Sequence, residues 1–185
     1  MLVDAAIVAM ARSADATISV SEVLAEAKLS TRAFYRHFDS KEALLEALML
    51  REAVAVGRSL ARVVEQAPNP VAAVEAWLER YLDVFFEPRR AKRAALLTSA
   101  AYGVSRPSAQ MMVEMRRISC APLVEALRAG HVAGLLRSPT PEADAYSIYN
   151  LIMASREANE PEEPSRLSIR AHVVRFAWLA LGLTS

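Results

Sequence analysis

Apolar residues recur every three or four positions along most of the chain. Ser, Thr, Asn, Pro and Gly interrupt them where helices should begin and end. The first stretch, about Leu2 to Arg12, gathers Leu2, Val3, Ala6, Ile7 and Met10 on one side. Ser19 and Glu22 then form a capping box, with Ile18 and Val23 placed as a hydrophobic staple, so a second helix opens there. Ser30 can cap a third, short helix from Thr31 to His37. Asp39 with Glu42 makes the acidic version of a capping box and opens a fourth helix through about Ala61. Asn69-Pro70 pairs an N-cap with Pro at the first helical position, for a helix that must stop before Pro88. A short helix follows over about Arg89 to Ala101 and ends near Gly103. Ser108 caps a long one to about Gly130, with Pro122 kinking its middle. Thr140-Pro141-Glu142 starts a helix that ends before Pro161, and the last spans about Ser165 to Leu183.

The pattern therefore predicts an all-α fold of about nine helices and no strand. Three helices make a head over residues 1–47 and six make a body over residues 48–185. The boundary falls inside the fourth helix, near Glu46 to Leu50, so the two parts share a helix in place of a linker.

Composition narrows the function classes. With 54% hydrophobic residues the chain cannot be disordered. A net charge of +1 excludes a protein whose whole surface grips nucleic acid, so any DNA contact must come from a local cluster. One cysteine, Cys120, excludes an internal disulfide and a cysteine-based zinc site, and the three His are scattered. We expect no metal and no cofactor, and Cys120 reads as a buried small hydrophobe. The N-terminus lacks the features of a signal peptide, and no apolar run reaches the roughly 18 residues of a membrane span. A cytoplasmic address is expected.

The chemistry concentrates between Ser19 and Phe38, a short helix, a three-residue turn and a second short helix. Val20, Val23 and Ala27 share one side of the first, and Leu29, Phe34 and Phe38 supply matching apolar surface. The outer side of the second carries Thr31, Arg32, Tyr35 and Arg36, with His37 at its end. Spacings of three and four set Arg32, Tyr35 and Arg36 side by side. Guanidinium groups suit base edges or phosphate, and hydroxyls suit phosphate oxygens. Backbone donors of the helix begun by Ser40 and Lys41 would add a phosphate anchor.

The string VSEVLAEAKLSTRAFYRHFDSKEALLEAL resembles the DNA-binding signature of the TetR family of bacterial regulators. The resemblance covers about Leu2 to Leu48. It implies that Thr31, Arg32 and Ala33 reach bases, and that Tyr35, His37 and Lys41 hold phosphates. With Ser30 and Arg36 these form the candidate DNA-contacting set. Three departures stand out. Lys28 occupies a turn position where the family usually has Gly, so a left-handed backbone there would cost about 1 kcal/mol or more. Leu24 replaces the usual Ala, and the chain starts without a basic arm. Residues 1–50 carry five Lys/Arg against seven Asp/Glu, a net of −2. That implies modest nonspecific affinity and reliance on dimerisation.

In the body, Trp77, Tyr81, Phe85, Tyr102, Met111, Met112, Met115, Tyr149 and Met153 suit either a core or a plastic apolar cavity. The resemblance favours a cavity, since the family's central helices usually enclose an effector. The expected ligand is a small, mostly apolar molecule, neutral or weakly polar. The resemblance further implies a homodimer through the last two helices, binding double-stranded DNA at an inverted repeat, with repression as the usual mode. Tyr146, Ile148, Tyr149, Ile152, Val173, Val174, Phe176, Ala177 and Trp178 give those helices more apolar surface than a solvent-facing pair should show. The runs Arg89, Arg90, Lys92, Arg93 and Arg116, Arg117 read as DNA-backbone contacts or solvated helix faces. Two rival classes remain. One is an interaction protein whose helix-turn-helix no longer binds DNA. The other is a small helical enzyme using Cys120, His131 or His172, for which no Gly-x-Ser-x-Gly, phosphate loop or paired-carboxylate motif speaks.

Overall fold

A computed structural model describes residues 5, 6, 8, 20–91, 94, 107–157 and 165–183. Its helices are α1 (Val20–Ala27), α2 (Thr31–Tyr35), α3 (Lys41–Glu65), α4 (Pro70–Phe86), α5 (Ala109–Val132), α6 (Pro141–Glu157) and α7 (Arg166–Ala180). Residues 5, 6, 8, 88–91 and 94 are also helical, and no strand occurs among the described residues. The all-α class is as expected. Ser19 of the expected capping box and Ile18 of the expected staple lie outside the described residues, as does most of the helix expected over Arg89 to Ala101.

Most helix starts follow their side chains. Ser30, Asn69, Ser108 and Ser165 each accept from the backbone N–H three residues on, at 3.3, 2.9, 3.2 and 3.1 Å. One start differs from expectation. The cap of α3 is Ser40, not Asp39: its backbone is extended and its Oγ accepts from Ala43 N at 3.1 Å. Both residue types cap helices, and the backbone angles alone select between neighbours. Helix ends shift too. α2 stops at Tyr35, leaving Arg36 as its C-cap, and α3 runs past Ala61 to Glu65 because no breaker precedes Pro68.

Three C-termini share one closure. In α1, Leu29 N donates to Leu24 O (3.0 Å) and Lys28 N to Ala25 O (3.2 Å), with Lys28 at φ +54°. In α5 and α7 the same left-handed position is held by Gly134 (φ +68°) and Gly182 (φ +71°). The glycine that ends α5 is therefore Gly134, and the expected terminator Gly130 is buried inside the helix. A Cβ there would come within 2.7 Å of the Leu136 side chain and 3.2 Å of Pro70. Leu24, the departure noted above, is buried and joined by Leu29, the apolar pair that accompanies such a closure.

Apolar side chains form two clusters. Ala5, Ala6, Val23, Leu24, Phe34, Leu44, Leu45 and Leu48 fill the smaller one. The larger is built on Leu60, α4, α5, α6 and α7, with Trp77, Leu78, Leu82, Leu123, Leu127 and Ile152 at its centre. Among the described residues only α3 contributes to both, running about 37 Å at 1.5 Å per residue. It packs most extensively on α5. There Gly57 permits a close approach: an added Cβ would sit 2.7 Å from Ile118 Cγ2 and 3.2 Å from Ile118 O. On the far side, α4 and α7 are tied by ions. Arg166 donates to Glu79 (2.6 Å) and Asp83 (3.1 Å), and Arg170 donates to Glu79.

Candidate nucleic-acid interface and body interior

Helix α2 is short, and Phe34 sets its orientation. That ring is fully buried, lies edge-on to Tyr35 at 5.3 Å and contacts Phe38 at 5.8 Å. With Phe34 turned inward, Thr31, Arg32, Tyr35, Arg36 and His37 are turned out, and Tyr35 is 58% exposed. Ser30 is exposed too, while Ala33 and Lys41 are half-buried at the edge of the same surface. Among the described residues neither Arg32 nor Arg36 has a carboxylate partner, so both cations remain available to an external anion. Lys41 opens α3 beside the Ser40 cap, where the first-turn N–H groups of a long helix face outward.

In the body, Trp77 and Tyr81 stack at 5.0 Å with their planes 14° apart, and Trp77 Nε1 donates to Ser119 O at 3.0 Å. Phe85 meets Tyr81 edge-on at 5.4 Å, Tyr149 lies 5.5 Å away, and Tyr81 Oη donates to Met153 Sδ at 3.8 Å. Five of the residues nominated for the effector thus form one aromatic and thioether cluster between α4 and α6. Met111 and Met115 are half-buried on α5 and Met112 is exposed, whereas Tyr102 lies outside the described residues. Burial pushes the Tyr81 phenol well above its ordinary range and raises Tyr149 as well. It drives the Cys120 thiol up to about 12, against a smaller pull from Arg116.

Comparison with known proteins bears on the N-terminal segment and on the fold. The description "Bacterial regulatory proteins, tetR family" matches residues 2–48, the segment holding α1, α2 and the start of α3. That match spans about a quarter of the chain. No curated protein sequence matches it. Solved structures share the fold over nearly full length. E. coli NemR in its reduced form is 21% identical with a TM-score of 0.69, covering 100% of this chain and 97% of that one. Bacillus subtilis FadR in complex with stearoyl-CoA is 13% identical with a TM-score of 0.69, covering 97% of each. The TetR-family regulator PfmR from Thermus thermophilus is 19% identical with a TM-score of 0.56, covering 100% and 98%.

Within this TetR-family fold, two sequence readings change. Of the apolar residues counted on the last two helices, Ile148, Ile152, Val173, Ala177 and Trp178 are buried in their own protomer, and Tyr146, Tyr149 and Val174 pack partly on the same core. Only Phe176 is exposed, joined by Leu167 and Leu179, which sequence reasoning did not single out. Beside Phe176 a hollow of about 360 Å³ opens between α6 and α7, and none of the residues nominated for the effector lines it. The two adjacent arginines also diverge. Arg117 faces out and pairs with Glu114 at 2.7 Å, while Arg116 turns inward over the Tyr146 ring, 4.8 Å from its centroid. Ser138, His131 and Asp144 do meet, but Ser138 is buried and its Oγ donates straight to Asp144 (2.6 Å), which pins the loop before α6. No histidine stands between them as a base would. Among the described residues there is no cluster of metal-ligating side chains, and no helix is long and apolar enough to cross a membrane.

Proposed function

We propose that the protein is a sequence-specific DNA-binding transcription regulator, a repressor that leaves an inverted-repeat operator when a small, mostly apolar effector enters its body. The observation that carries this reading is the exposed, unpaired Arg32–Tyr35–Arg36 surface, held outward by buried Phe34 within the matched family segment. Ser30, Thr31, Ala33, His37 and Lys41 complete the contact surface. The two apolar clusters support a division into a head over residues 1–47 and a body over 48–185. Exposed Leu167, Phe176 and Leu179 support a homodimer through α6 and α7, which would present two heads to two half-sites. The shared helix α3 supplies the lever from body to head. Titration of effector and operator must then show reciprocal coupling, typically about 1–3 kcal/mol.

The test begins with a mobility shift on DNA flanking the gene and selection of bound sites from random duplexes. Lys41→Ala and Tyr35→Phe should weaken binding to every sequence alike. Arg32→Ala should also relax sequence preference, because a bidentate arginine–guanine contact discriminates by about 1–3 kcal/mol. An unchanged consensus with Arg32→Ala would remove Arg32 from base readout. Failure of the wild-type chain to select any site would favour the rival reading of an interaction protein.

A further inference from the structure

We infer that the body binds a mostly apolar monocarboxylate whose carboxylate is received by Arg116. The inference rests on the reading above and specifies the chemistry of its ligand. Arg116 lies on α5 and reaches toward α6, over the Tyr146 ring. Its Nε is buried and has no acceptor, and no carboxylate among the described residues pairs with it. A buried guanidinium N–H without a partner is costly, and native proteins seldom leave one so. Its neighbours are Tyr146 beneath the guanidinium plane, Cys120 one turn along the helix, and Tyr149 within electrostatic reach.

A second cation enters from the far side. Arg156 lies 3.7 Å over the Phe85 ring and acts on Tyr81 and Tyr149, the second of which it shares with Arg116. No acidic side chain figures among the groups acting on Tyr81, Tyr149 or Cys120. Arg116 thus stands in aromatic surroundings with its Nε–H unmatched. The site offers the planar Arg116 fork beside the rings of Tyr146 and Tyr149. A guanidinium edge matches a carboxylate through two parallel hydrogen bonds. The stacked Trp77–Tyr81 pair suits a flat or aliphatic tail, and the flexible Met153 thioether can move aside for it. The ligand expected from sequence was neutral or weakly polar. Arg116 changes that, because a carboxylate meets its buried N–H through a charge-assisted bond roughly twice as strong as a neutral acceptor gives.

The test is calorimetric titration of the full-length protein with three carboxylates, each against its own carboxamide: benzoate, 2-naphthoate and decanoate. At least one acid should bind about ten-fold or more tighter than its amide, as expected of a charge-assisted pair. Arg116→Gln should remove about that ten-fold for the acid and leave the amide unchanged. Arg116→Lys, which keeps the charge but not the fork, should fall between them and serves if the Gln variant does not fold. Equal binding of acid and amide, equal binding of the acid to wild type and Arg116→Gln, or no binding by any of the three acids would overturn the proposal. A mobility shift with unliganded Arg116→Gln should match wild type, so a failed ligand test leaves the regulator reading intact, whereas loss of the wild-type shift sinks that reading alone.

Discussion

Lys28 shows what a single residue can carry. It closes α1 in the left-handed region at φ +54°, where glycine serves at the ends of α5 and α7. A side chain there costs roughly 1–2 kcal/mol, and glycine would return part of that as unfolded-state entropy. Lys28→Gly should therefore stabilise the protein by about 0.5–1 kcal/mol, read as a raised melting temperature. An unchanged or lowered temperature would mean that the lysine has a compensating contact. The departure from the family's glycine was legible in the sequence, and so was the backbone that makes it matter. Arg116 was not. An arginine on a polar stretch of helix beside Arg117 gives no sign of which of the two turns inward, since helical spacing sets them about 100° apart without saying where the core lies.

At the scale of elements, Gly57 and Glu79 govern how helices meet. Gly57→Ala would press a methyl group against Ile118 on α5. Overpacking of this kind costs typically 1–3 kcal/mol, against about 1 kcal/mol gained in helix propensity, so a net loss of about 1 kcal/mol is expected by denaturant unfolding. Ile118→Ala should relieve much of it, giving a double-mutant cycle that is not additive. Glu79 joins α4 to α7. Burial works to raise its carboxyl, but the hydrogen bonds from Arg170 and Arg166 outweigh this and hold it below its ordinary 4.5. A carboxylate with a lowered pKa contributes stability above 4.5 that disappears as the pH falls through the folded value. The group is about one-third exposed, so screening limits the effect to under about 1 kcal/mol. Wild type and Glu79→Gln should differ in melting temperature at pH 6, with the gap shrinking as the pH falls below 4.5; a constant gap would exclude the ion pairs as the cause. Starts of α4, α5 and α7 were readable because Asn69, Ser108 and Ser165 each had no rival cap beside them, whereas Asp39 and Ser40 stood together.

For the whole molecule, the last two helices were the least legible in the sequence. An apolar face looks the same whether it covers its own core or a second copy, and Ile148, Ile152, Val173 and Trp178 cover their own. What remains outside is Leu167, Phe176 and Leu179, a smaller surface than the sequence count implied. If α6 and α7 form the dimer, Phe176→Glu or Leu179→Glu should weaken association by about ten-fold or more in sedimentation, as central apolar anchors do. Operator binding should weaken in step. Unaltered association would place the interface elsewhere.

Buried Cys120 has a use beyond packing. Its thiol stays protonated across the whole working range of maleimide and methanethiosulfonate reagents and faces no solvent, so the native chain is effectively blank to thiol labelling. A cysteine introduced at exposed Arg36 would take up a spin label or fluorophore alone, without first mutating the native thiol. In a dimer the two labels would report the separation of the heads directly, with and without a carboxylate in the body.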